Sequence, residues 1–133
     1  MSRFEKFNLD NKVALITGAG GLLGRQHAFA IAEAGGVPIL SDIKETTDLA
    51  KEISDKFKVK SIGIVSDITD EKSITELKEQ LIIDFNQADI LINNASINPS
   101  VEDGKLSKGQ LKYFLLEQWN KEIAVGLTGA FIC

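Results

Sequence analysis

Cysteine, histidine, tyrosine and tryptophan each occur once in these 133 residues, and proline twice. With Cys133 as its single thiol the chain forms no internal disulfide, and a reducing, cytoplasmic setting is expected. One cysteine and one histidine, His27, leave no ligand cluster with metal-site spacing, so no metal is expected. No apolar run approaches the ~20 residues that span a bilayer, and the opening MSRFEKFNLDNK holds no signal-peptide apolar core. The net charge of −4 offers no positive field to nucleic acid or to an anionic membrane, and neither is expected as a partner. Repeats, low-complexity tracts and linkers are missing too, which leaves one domain over 1–133. What is present, 44% hydrophobic and 26% charged residues, suits an ordinary packed core.

The stretch 12–24, KVALITGAGGLLG, organises the rest. Val13–Ile16 is an unbroken apolar run, as in a strand buried on both faces of a parallel sheet. It leads into Thr17, Gly18, Gly20, Gly21, Leu22 and Gly24, and then into a helical pattern. Strand, glycine-rich turn and helix make a phosphate site: glycine lets the backbone approach a pyrophosphate, and the helix's first free N–H groups point at its charge.

Leu22, Leu23, Ala28, Phe29, Ile31 and Ala32 support that helix, which stops near Gly35 and Gly36. A second strand is expected over 37–40, with Pro38 at its start, completing a βαβ unit. Asp42 follows, about 20 residues beyond the glycine turn, where a dinucleotide fold places the carboxylate that accepts the adenosine ribose hydroxyls. A carboxylate there repels a 2′-phosphate, so NAD is expected over NADP, with Lys44 the one neighbour able to soften the preference. Taken alone, Asp42 would read as a solvated loop acid or a helix cap. Further elements are a helix over 45–57 (Leu49, Ile53 and Phe57 on one face), a strand over 61–65, a helix over 71–85 (Ile74, Leu77, Leu81 and Phe85 inward) and a strand over 88–92. Phe4, Phe7 and Leu9 are expected to pack on the sheet from the lead-in, and 98–110 reads as a polar loop near a site rim. The fold class is α/β, a Rossmann-type doubly wound parallel sheet, with only its first four strands and intervening helices.

The turn T-G-x-x-G-x-x-G through Thr17, Gly18, Gly21 and Gly24, followed at 93–96 by Asn93-Asn94-Ala95-Ser96, resembles the short-chain dehydrogenase/reductase superfamily. The glycine spacing is that of its extended branch, the sugar-nucleotide epimerases and dehydratases. N-N-A and the stretch 116–131, LEQWNKEIAVGLTGAF, resemble the short branch, whose motif there is N-N-A-G and then V-N-L-x-G-x-F. The resemblance implies an oxidoreductase that interconverts an alcohol and a carbonyl on a small-molecule substrate, in a homo-oligomer. It places Asp67 and Ile68 along the adenine and Asn94 and Ala95 at the nicotinamide-side ribose. Asp67 on its own chemistry would as readily begin the next helix. Gly21 agrees with NAD, since NADP-preferring relatives often carry a basic residue in that part of the turn. Trp119, Ile123, Leu127 and Ala130 are expected to form the apolar face of the last helix.

Two departures qualify the resemblance. Gly126 replaces the asparagine of the family's catalytic tetrad, and Asn120, six residues earlier, is off a whole number of helical turns. The Tyr-x-x-x-Lys pair and the serine are not found: Tyr113 is followed four residues on by Glu117. The expectation is therefore an N-terminal fragment, carrying the cofactor site and no catalytic pair, and inactive by itself. A non-catalytic nucleotide-binding half-fold is the alternative from another class.

Overall fold

A computed structural model describes residues 5–97 and 115–133. The expected loop over 98–110, Tyr113 and Phe4 lie outside the described residues.

Four strands, β1 (Val13–Thr17), β2 (Val37–Asp42), β3 (Ile62–Val65) and β4 (Ile90–Ile92), form one parallel sheet in the order β3-β2-β1-β4. Between them run α1 (Leu22–Glu33), α2 (Thr47–Phe57) and α3 (Glu71–Phe85). Helix α4 (Leu116–Ile123) continues through a π-helical turn, Ala124–Gly129, into Ala130–Ile132. The chain steps outward from β1 to β2 and β3, then returns to β1's other side as β4. That reversal makes a switch point between β1 and β4, where the carboxyl ends of the strands part and leave a crevice.

The two faces follow from strand alternation. Ile16 and Leu40 point to one side, where they pack with Ala28 and Ala32 of α1 and Ala50 and Ile53 of α2. Val13, Leu15, Ile39 and Ile64 point to the other and meet Leu77 and Leu81 of α3. Every residue of β1 is buried, which is why its sequence is a continuous apolar run. Burying one Ile or Leu is worth about 1.5–3 kcal/mol, so these two clusters supply the main drive for the fold. Gly35, at φ +88°, turns the chain out of α1, and Asp70 caps α3 by accepting the N–H groups of Lys72 and Ser73.

Several expectations shift. Pro38 is the second residue of the central strand β2, opposite Ala14, and is fully buried. Its carbonyl accepts the Ser61 hydroxyl at 2.8 Å, on the side where β3 has not yet begun, so the missing proline N–H breaks no ladder bond. Phe7 is 70% exposed rather than packed on the sheet. β4 is shorter than expected. Two of the four residues expected on the apolar face of the last helix stand uncovered. Trp119 is half exposed and Leu127 is 64% exposed, while Gly129 is the buried residue. The π turn widens the helix between Ala124 and Gly129 and rotates everything beyond it off a 3.6-residue period. Among the described residues no helix is long and apolar enough to cross a membrane.

At the amino end of the sheet Asp89 ties β4 to β1. Its Oδ2 accepts the Val13 N–H at 2.8 Å and the Gln87 side-chain amide at 2.8 Å, and its Oδ1 accepts the Lys12 ammonium at 3.2 Å. The Val13 amide first, and then Lys12, hold this carboxyl below its ordinary range against the opposing effect of burial. Its contribution to stability is therefore present at neutral pH and is lost as pH falls through the lowered pKa. Asp89→Asn is expected to lower the melting temperature at pH 7, with the gap from wild type closing below about pH 4. A gap that stays constant from pH 7 to pH 3 in thermal melts would show that charge is not what Asp89 contributes.

Candidate functional site

The site is built where β1 and β4 end. Thr17, the last residue of β1, is fully buried, and its hydroxyl accepts the N–H groups of Asn94 (3.2 Å) and Ala95 (3.1 Å) while reaching toward the Ile92 carbonyl at 3.4 Å. The Asn94 side-chain amide in turn donates to the carbonyls of Thr17 and Gly18, both at 3.0 Å. These bonds pull the chain after β4 against the glycine turn so closely that only glycine fits. A Cβ on Gly18 would lie 2.7 Å from the Ala95 Cα, and Gly18 also has φ +62°. Gly24 is buried one helical turn into α1, where a Cβ would run into the Gly18 carbonyl and lie 2.9 Å from the Asn94 amide. Gly21 caps α1 without any side-chain acceptor for the helix's first N–H groups, and Gly21 itself lines the crevice.

On the β2 side the crevice is edged by charge. Asp42 Oδ2 accepts the Gly20 N–H at 2.9 Å and its Oδ1 accepts the Lys44 N–H at 3.0 Å. The carboxylate is thereby locked against the glycine turn, with lone pairs to spare on both oxygens. Beneath it the hydroxyls of Ser41 and Ser66 meet at 2.6 Å and join the ends of β2 and β3. Asp67 does not cap α3, a role that falls to Asp70. Its Oδ1 accepts both the N–H (2.8 Å) and the hydroxyl (2.7 Å) of Thr69, and Oδ2 takes part in neither bond. The crevice encloses about 400 Å³, the scale of a small-molecule pocket.

Of the expected cofactor residues, Gly18, Gly20, Gly21, Asp42, Asp67, Ile68 and Ala95 line this one crevice. Thr17, Gly24 and Asn94 do not: they stand behind it as the brace that shapes it. For Thr17 this is a correction, because a fully buried side chain offers a cofactor no surface. Leu22 stands exposed on the first turn of α1 and does not line the crevice. Residues that sequence reasoning passed over are Ser41 and Ser66 on its floor, and Val125 on the wall that the π-helical turn supplies. The one signal for the serines was a small polar residue directly before each of Asp42 and Asp67. Gly126 is exposed, with no heavy atom within 4 Å of where its Cβ would be, so an asparagine would fit there without collision. Among the described residues no group of three His, Cys, Asp or Glu side chains is placed to hold a metal.

A doubly wound parallel sheet with a glycine-lined crevice at its switch point defines a dinucleotide-binding α/β architecture. A family model described as short chain dehydrogenase matches residues 12–133. The chain belongs to the short-chain dehydrogenase/reductase family. It is 30% identical over 131 residues to the short chain dehydrogenase/reductase astE of Aspergillus oryzae, covering 97% of this chain and 48% of that protein. Among solved structures, the NADPH-dependent 3-quinuclidinone reductase of Rhodotorula rubra matches with a TM-score of 0.79 at 29% identity, over 98% of this chain and 47% of that one. A putative D-mannonate oxidoreductase from Haemophilus influenza with bound NAD matches with a TM-score of 0.82 at 25% identity, over 98% and 50%. The chain thus spans about half the length of the relatives it matches.

Replacing Asn94 by alanine strips the Thr17 and Gly18 carbonyls of a shared donor in a partly buried site. A loss of about 1–3 kcal/mol is expected, seen as a fall of several degrees in melting temperature; an unchanged melt would show that the amide contributes nothing net.

Proposed function

We propose that this chain is the cofactor-binding half of an NAD-dependent oxidoreductase that interconverts an alcohol and a carbonyl on a small molecule. The observation that carries the preference for NAD is the Asp42 carboxylate, held 2.9 Å from the Gly20 N–H at the crevice edge. It sets a negative charge where the adenosine ribose of a dinucleotide would lie, favouring two ribose hydroxyls and opposing a 2′-phosphate. The fit of a dinucleotide is supported by the uncapped start of α1 and by the glycines at which side chains would collide with the turn. In this reading the first N–H groups of α1 receive the pyrophosphate, Asp67 and Ile68 flank the adenine, and Ala95 borders the nicotinamide-side ribose, with Asn94 fixing the backbone behind it. When bound, the nicotinamide accepts or supplies the hydride.

The 133 residues contain no Tyr-x-x-x-Lys, so in this reading the proton chemistry belongs to sequence outside them. A single-domain enzyme acting as a homo-oligomer in the cytoplasm is the setting that this reading assigns to the whole protein. Two outcomes are expected. In the full-length protein, Asp42→Asn keeps an acceptor for Gly20 but removes the charge, and should raise the ratio of NADP to NAD affinity by about tenfold or more, ~1.4 kcal/mol. An unchanged ratio in titration calorimetry would remove Asp42 from the ribose. The 133-residue chain by itself should show no NAD-linked turnover, and steady NADH production from any alcohol would place the catalytic groups inside it.

A further inference from the structure

Gly129 lies in the last turn of the π segment with ordinary helical backbone angles, φ −58° and ψ −43°. Nothing in that conformation calls for glycine, and alanine is the better helix former. The reason for glycine is space. A Cβ at 129 would stand 2.6 Å from Ile68 Cδ1, 2.8 Å from its Cγ1 and 3.1 Å from its carbonyl oxygen. A Cβ on Gly126, three residues earlier, would meet no neighbouring element within 4 Å, so of these two helical glycines only Gly129 is closely approached. Ile68 is 7% exposed, and its remaining surface lines the crevice beside Asp42, Asp67 and Gly20. Its side chain is therefore a partition with the helix on one side and the crevice on the other. The helix is held at that distance from β4 as well, since the Asn93 side-chain amide reaches the Ala130 carbonyl at 3.4 Å.

We propose that Gly129 is a positioning residue for the adenosine end of the cofactor: its lack of a side chain lets the helix close on Ile68 and keeps Ile68 drawn back from the crevice. A methyl group at 129 forces the tip of Ile68 away from the helix, into the space it borders, and narrows the adenosine end while leaving the glycine turn untouched. The inference rests on the cofactor reading above and adds to it a residue with no cofactor contact of its own.

The test uses the full-length protein as wild type, Gly129→Ala, Ile68→Ala and the double variant. NAD and ADP-ribose are titrated by calorimetry, alongside thermal melts. Gly129→Ala should weaken both ligands about tenfold, because both carry the adenosine end. Ile68→Ala, which lacks both the Cδ1 and the Cγ1 atoms that Gly129 admits, should restore binding in the double variant to about that of Ile68→Ala alone, the signature of two coupled neighbours. Unchanged affinity in Gly129→Ala, or a loss that Ile68→Ala does not rescue, overturns the inference. Should Gly129→Ala fail to fold, the double variant decides. If it folds and binds as Ile68→Ala does, the assignment stands, and if it stays unfolded or binds nothing, the assignment falls. Wild type that binds neither NAD, NADP nor ADP-ribose would instead overturn the cofactor reading itself.

Discussion

A single buried hydroxyl, that of Thr17, decides how close the carboxyl ends of β1 and β4 come. A strand that ends in a parallel sheet leaves backbone groups without ladder partners. Here the N–H groups of Asn94 and Ala95, which follow β4, find theirs on the side chain of β1's last residue. The Asn94 amide closes the loop by donating back to two carbonyls of the turn. With both chains tied in this way, Ala95 presses on Gly18, and any side chain at 18 would be expelled. The glycine at 18 is thus a consequence of the brace. Mutations to the brace and to the glycines are expected to fail for the same reason.

The two ends of the sheet carry different chemistry, although the strands are joined by similar devices. At the amino end Asp89 pairs with the Val13 amide and with Lys12, and its charge is consumed in holding β4 to β1. At the carboxyl end Asp42 also accepts two backbone amides, but it does so at the edge of an open crevice with lone pairs unspent. A carboxylate that is both fixed in place and incompletely bonded costs little to hold and remains able to accept hydroxyl donors. That difference, rather than the bare presence of an acid, separates a structural Asp from one fitted to a ligand.

Much of this could be read from the residues. The continuous apolar runs of β1 and β2, buried on both faces, the glycine stop of α1 and the i, i+4 face of α2 are local rules, and the structure follows them. The position of Asp42 at the end of β2 follows from its distance along a βαβ unit, which is a topological rule. The bracing of neighbouring strands by an amide at the end of a central strand is also a rule of position, and the Asn94 side chain follows it by reaching β1. What escaped was the hydrogen bond between Ser41 and Ser66, which joins two strands and leaves no local pattern. Thr17 was assigned to the ligand because it stands in the motif, whereas burial shows that it supports the motif from behind.

The last helix carries an irregularity that its sequence does not announce. Its apolar residues at 119, 123, 127 and 130 fit a 3.6-residue period, and beyond Ile123 that period is interrupted by a π turn with no proline to mark it. The residues that mark the turn are two glycines, 126 and 129, indistinguishable in sequence. In the fold one faces open space and the other is pressed against Ile68. A widened turn lets a helix present a backbone face to a neighbour without lengthening the helix, and here that neighbour lines the crevice. The departure from a regular helix therefore falls where the last helix meets the candidate site. At that place the helix comes closer to Ile68 than a side chain at 129 would allow.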